Sequence, residues 1–96
     1  MYVYQSPRNA EMALLKVLQA GQGLKVMGCR FHRGLIGGVG VSVPNRALGL
    51  WRYKAGGFEF IPHSGEGVEA RVQTVNDAVD CTVSIATWSY RNRPYH

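Results

Sequence analysis

At 96 residues the chain has room for one small domain. Its 46% hydrophobic and 18% charged composition excludes a disordered chain, and its short apolar runs exclude a membrane span. A net charge of +5 and a pI near 9.6 point toward anionic partners, nucleic acid among them.

The opening residues, MYVYQSPRNAE, lack the basic start and long apolar run of a signal peptide. The expected location is therefore cytoplasmic, with Cys29 and Cys81 as free thiols; an oxidising compartment would instead allow them to be bridged. Tyr2 to Tyr4 reads as a short edge strand or lead-in. Ser6 before Pro7 then announces a helix over about residues 7–20. The serine side chain can accept from an orphan helix N–H, and proline is tolerated at the first helical position. Glu11 places a carboxylate near the positive end of the helix dipole. Ala10, Leu14, Val17 and Leu18 form its apolar stripe, broadened by Ala13 and Leu15. Gly21 and Gly23 supply the stop through the left-handed conformation open to glycine.

Beyond this helix the apolar spacing changes from 3.6 to two, and antiparallel strands are expected from about residue 24 to 90. Leu24 to Phe31 carries Met27, Cys29 and Phe31 on one face. His32 to Gly38 is a turn or bulged connection. Val39, Val41 and Val43 alternate with Gly40 and Ser42, and Pro44-Asn45-Arg46 has turn chemistry. Leu48 to Lys54 is a strand, closed by Ala55-Gly56-Gly57 into a hairpin with Phe58 to Ile61. After a loop from Pro62 to Gly67, Val68 to Val75 alternates again, and Asn76-Asp77 begins a turn. A last strand follows, with Cys81, Val83 and Ile85 inward and Thr82, Ser84, Ala86, Trp88 and Tyr90 on the opposite face. Residues 91–96 form an irregular basic tail.

One helix followed by five or six antiparallel strands is an α+β arrangement, the helix covering one face of a curled sheet. This order resembles the cystatin-like and nuclear-transport-factor-like rolls, with a small barrel plugged by the helix as the alternative. A ferredoxin-like fold would need a second helix among the later strands, and Gln73 to Val79 is too short and turn-like for one. The fragment Lys54 to Phe60 resembles the RNA-recognition-motif signature but departs from it in its extra glycine and in Glu59.

Residues 12–58 contain no acid, ten of the twelve glycines and seven cations. The cluster Gly34 to Gly40 precedes a strand and lacks a following Lys-Ser/Thr, so sheet curvature explains it better than a phosphate cradle. Cys29, His32, His63 and Cys81 could furnish four zinc ligands, but their spacing splits the second pair, so no metal is expected. No cofactor is implied. Cys29 with His32, or Cys81 with His63, are thiol–imidazole pairs, and Glu59, Glu66, Glu69, Asp77 and Asp80 are candidate carboxylates. No motif assembles them into a reaction, so catalysis stays open, with Glu59, His63 and Cys29 the groups to examine at a pocket mouth.

Arg30, Arg33, Trp51, Arg52, Tyr53 and Lys54 form the candidate ligand or nucleic-acid surface. Rings that stack on bases beside cations that track phosphates would bind single-stranded nucleic acid. The same rings could instead be core. The outer residues Thr82, Ser84, Ala86, Trp88 and Tyr90 are small and flat enough to pack on a second copy, which makes them the candidate interface. The leading expectation is a non-enzymatic binding module, homo-oligomeric with a dimer favoured. It would recognise a small molecule or protein and have no membrane association. Nucleic-acid binding and a small enzyme with a pocket between helix and sheet are the alternatives.

Overall fold

A computed structural model describes residues 6–44, 46–63, 67 and 69–91. The expected lead-in at Tyr2 to Tyr4, Asn45 of the turn, Glu66, Val68 and tail residues 92–96 lie outside them. The described elements are helices α1 (Pro7–Ala20) and α2 (Gln22–Val26), strands β1 (Arg30–Arg33), β2 (Val39–Val43), β3 (Arg46–Lys54), β4 (Gly57–Pro62) and β5 (Ala70–Val72), and helix α3 (Val75–Arg91). Among the described residues the strands form one antiparallel meander in the order β1-β2-β3-β4-β5, not closed into a barrel. The α+β class, with a helix packed on an antiparallel sheet, is as expected.

Helix α1 starts as its sequence dictates. The Ser6 side chain accepts from the Asn9 N–H at 3.2 Å, and Pro7 occupies the first helical position. Its end differs. Gly21 has φ −73° and ψ 111°, an extended conformation, and Gly23 lies inside α2. The chain therefore turns at Gly21 and resumes a helical turn at Gln22. Leu24 to Phe31 is accordingly not one strand: its first half is helical, and only Arg30 onward pairs with β2.

The larger correction concerns the C-terminal third. The expected strand at residues 81–90 is part of the 17-residue helix α3, and the expected turn at Asn76-Asp77 is its first turn. Thr74 caps it by accepting from the Asp77 N–H at 3.0 Å. The β-branched residues Val79, Thr82, Val83 and Ile85 imitate a strand, and over a few residues alternation and helical spacing are indistinguishable. The longer pattern is helical. Ala78, Thr82, Ala86 and Ser89 are buried and Val75, Val79 and Ile85 half-buried, a stripe with i, i+3, i+4 spacing. The second helix does exist, but it follows the last strand. Likewise Val68 to Val75 contributes only the three-residue β5.

Both long helices pack on the same side of the sheet and against each other. Between them and the sheet lie Leu14, Leu18, Val39, Val41, Trp51, Phe58 and Phe60, all essentially without solvent contact. Each such side chain contributes about 1.5–3 kcal/mol by leaving water. Trp51 and Phe60 sit opposite each other across β3 and β4, their ring centroids 5.1 Å apart. The indole N–H of Trp51 donates to the Thr82 hydroxyl at 2.9 Å, and that hydroxyl donates to the Ala78 carbonyl at 2.7 Å. Thr82 thereby satisfies the one polar atom of the central ring.

In a strand Thr82 and Ser84 would share a face. On α3 Thr82 is enclosed and Ser84 faces water. Thr82→Val should therefore cost about 1–2 kcal/mol by stranding the Trp51 N–H. Ser84→Ala should stay within about 0.5 kcal/mol. Urea denaturation of the two variants checks this; equal effects would contradict the helix.

Candidate functional site

The expected ligand residues divide between the two faces of β3. Trp51 and Tyr53 do lie on one face and Arg52 and Lys54 on the other, but the ring face is the one beneath the helices. Trp51 is fully buried, and Tyr53 is half-buried with its ring edge-on to Phe58 at 4.9 Å. No base can stack on the enclosed Trp51, so the expected stacking platform is not built. The expected interface residues are likewise not on an outer sheet face. Thr82 and Ala86 are buried in α3, and Ser84, Trp88 and Tyr90 are exposed on that helix.

Glu11 emerges as the central polar residue of the fold. It lies past the first turn of α1, buried, and serves the sheet rather than the helix dipole. Its Oε1 accepts from the Arg33 guanidinium at 2.5 Å and from the Gly38 N–H at 2.9 Å, while Oε2 accepts from the Tyr53 N–H at 2.9 Å. Gly38 has φ +83°, a conformation that aims its N–H inward and suits glycine. The loop between β1 and β2 thus does cradle an anion, and the anion is the chain's own carboxylate. Burial works against the charge of Glu11, but the two N–H groups and Arg33 outweigh it and hold its pKa below the ordinary 4.5.

Among the described residues, no helix covers the other sheet face. Arg30 and His32 of β1, Ser42 of β2, Arg52 and Lys54 of β3, Glu59 and Ile61 of β4 and Arg71 of β5 alternate onto it. Glu59 lies between two arginines, accepting from Arg52 at 3.0 Å and Arg71 at 2.6 Å. The hydrogen bond from Arg52 leads in holding the Glu59 carboxyl below its ordinary range, against some desolvation, and Arg71 adds to it. Arg71 also donates to the carbonyls of Lys54 and Ala55, tying the edge strand to the hairpin turn.

Two depressions open here. A trough of about 400 Å³ runs over Gly40, Ser42 and Ala47, walled by Leu50 and Ile61, with His32 and His63 also lining it. A Cβ on Gly40 would fall 2.6 Å from the His32 ring, so the imidazole lies directly over the glycine. A broader cleft of about 700 Å³ extends past Leu50 toward the start of α1 and the β1–β2 loop. Arg8, Arg33, Arg52 and Lys54 line it, with Glu11 the carboxylate among them.

The candidate catalytic and metal groups do not converge. Cys29 and Cys81 pack with the core on the helix side, whereas His32 is exposed on the other face and His63 lines the trough there. The four residues weighed as zinc ligands, from which no metal site was expected, are thus separated by the sheet. Burial pushes both thiols above their ordinary range, with Glu69 adding to the effect at Cys81, which disfavours the thiolate that nucleophilic attack requires. Glu59 is held ionised by two arginines. Sequence reasoning missed Glu11, Leu50, Ile61 and Arg71. The signal for Glu11 was a lone carboxylate on an apolar helix ahead of a long acid-free stretch, since a buried charge needs distant cations and N–H groups.

No family model, curated protein or solved structure matches this chain.

The lowered pKa sets an acid dependence. Glu11 contributes its full stabilisation above pH 4.5, and the contribution is lost as pH falls through the lowered folded-state value. Glu11→Gln should flatten this part of the pH–stability curve. Glu11→Ala at neutral pH should cost about 2–4 kcal/mol, because Arg33 and two N–H groups lose their partner. Thermal melts between pH 3 and 7 check both; a wild-type acid slope kept in the glutamine variant would contradict the assignment.

Proposed function

We propose that this chain is a non-catalytic binding module whose working surface is the bare face of its five-stranded sheet. The observation that carries the proposal is the one-sided packing: α1 and α3 cover the same face, leaving a trough of small residues between Leu50 and Ile61 on the other. Half-buried aliphatic walls beside a floor of glycine, serine and alanine suit inserted aliphatic side chains. The border holds Arg30, Arg52, Lys54 and Arg71 against Glu59, so a partner segment with acidic residues beside its apolar anchors complements it best. A second copy would fill the same trough but bring the same cations with it, so a heterologous acidic partner is the better electrostatic fit.

Nucleic acid is the weaker alternative. The cations on this face favour phosphate, but of the rings that would stack bases, Trp51 is enclosed and Tyr53 half-buried on the opposite side.

Peptides selected from a random display library on the immobilised protein should carry Leu, Ile or Val flanked by Asp or Glu. Leu50→Thr with Ile61→Thr should reduce their capture at least tenfold while the variant still melts cooperatively, since threonine suits a strand and brings no charge. Sedimentation equilibrium on the same samples reads the self-association alternative: a dimer dissociated by the double variant assigns the face to a second copy. Selection that ignores both substitutions would overturn the sheet-face proposal.

A further inference from the structure

The β1–β2 hairpin ends in a feature the fold does not need. Leu35 and Ile36, at its tip, are 106% and 102% exposed, so their side chains touch nothing in the described structure. The loop is held without them: the Gly34 N–H donates to the Gly38 carbonyl at 3.1 Å, the Gly37 N–H to the Gly34 carbonyl at 3.2 Å, and the Gly38 N–H to Glu11. Two large aliphatic side chains fully in water, on a loop braced from below, gain nothing from the described fold and would be stabilised by an apolar partner.

Their surroundings say which partner. Leu35 and Ile36 border the cleft lined by Arg8, Arg33, Arg52 and Lys54. Glu11, the acidic residue there, is already paired with Arg33. Arg52 shares Glu59 with Arg71, and among the described residues Arg8 and Lys54 have no carboxylate partner. The start of α1, at Pro7 and Arg8, lies in the same cleft and adds the positive end of its dipole. The tip is therefore apolar and its collar cationic.

We propose that this end of the molecule docks on an anionic lipid bilayer, with Leu35 and Ile36 entering the acyl boundary while Arg8, Lys54 and Arg52 meet lipid phosphates. A bilayer offers apolar depth directly beneath a layer of negative charge, the same order in which the hairpin presents its groups. It also demands no shape complementarity. A protein partner would need about 800 Å² of matched surface on each side, and a two-residue projection supplies little of that. Nor does the proposal require a spanning segment; among the described residues no helix is long and apolar enough to cross a membrane. It shares Arg52 and Lys54 with the border of the sheet face, but Leu35 and Ile36, which carry it, line the cleft and not the trough.

The test is flotation of the purified protein with phosphatidylcholine vesicles containing about one-third phosphatidylserine, against vesicles of phosphatidylcholine alone. The wild type should bind the anionic vesicles at least tenfold more, and less as salt rises. Leu35→Ser with Ile36→Ser should lose at least tenfold of that binding while melting at the wild-type temperature, since neither side chain touches the fold. Arg8→Glu with Lys54→Glu should lose a similar amount, and Glu at position 8 suits the first helical turn, so folding is preserved. Leu35→Trp should report insertion as a blue-shifted difference emission on vesicle addition. No preference for anionic vesicles overturns the proposal. So does binding that the serine pair leaves intact, which would be non-specific adsorption of a basic protein, and so does competition by soluble phosphoserine equal to that by vesicles.

Discussion

A single carboxylate joins three parts of this fold. Glu11 reaches from α1 to Arg33 at the end of β1, to the backbone of Gly38 at the start of β2, and to the backbone of Tyr53 near the end of β3. Those groups come from widely separated parts of the chain, and their meeting ties α1 to the ends of three strands. A buried carboxylate is costly unless each oxygen is satisfied and its charge balanced, and here both conditions hold. The acid-free stretch supplies the balancing charge and the flexible N–H donor. What resembles a phosphate loop in sequence is, in three dimensions, a loop folded around an internal anion.

With α1 fixed in that way and α3 docked beside it through Trp51 and Thr82, both helices occupy one face. The asymmetry decides where function can lie. All the large aromatic rings of β3 and β4 are spent on the covered face, so the bare face is aliphatic and cationic without being aromatic. That chemistry suits acidic, aliphatic protein segments better than bases. The hairpin that Glu11 braces leaves Leu35 and Ile36 exposed to water.

Much of the local structure was legible in the chain. Ser6-Pro7 and the stripe through Leu14 and Leu18 mark α1 because capping and amphipathic spacing are short-range properties. The hairpin at residues 54–57 was legible for the same reason, although its turn places Ala55 at φ +52° beside Gly56. Leu24 to Phe31 was misread because three alternating side chains, Met27, Cys29 and Phe31, outweighed the helical turn before them. Residues 81–90 were misread because valine, threonine and isoleucine favour strands locally, whereas the packing of Ala78, Thr82, Ala86 and Ser89 against a sheet is a long-range gain.

The sequence by itself determined the class, the start of the first helix, the alternation along β3 and the concentration of positive charge, because each follows from neighbours a few residues apart. Only the tertiary structure decided which side of β3 faces water, since both of its faces hold side chains capable of burial or exposure. The answer depends on where α1 and α3 dock, one packed on β3 from about forty residues earlier in the chain and the other bonded to it from about thirty residues later. The same docking turned Trp51 from a candidate ligand platform into the centre of the core, and left the trough beside Leu50 and the tip at Leu35 and Ile36 open to water.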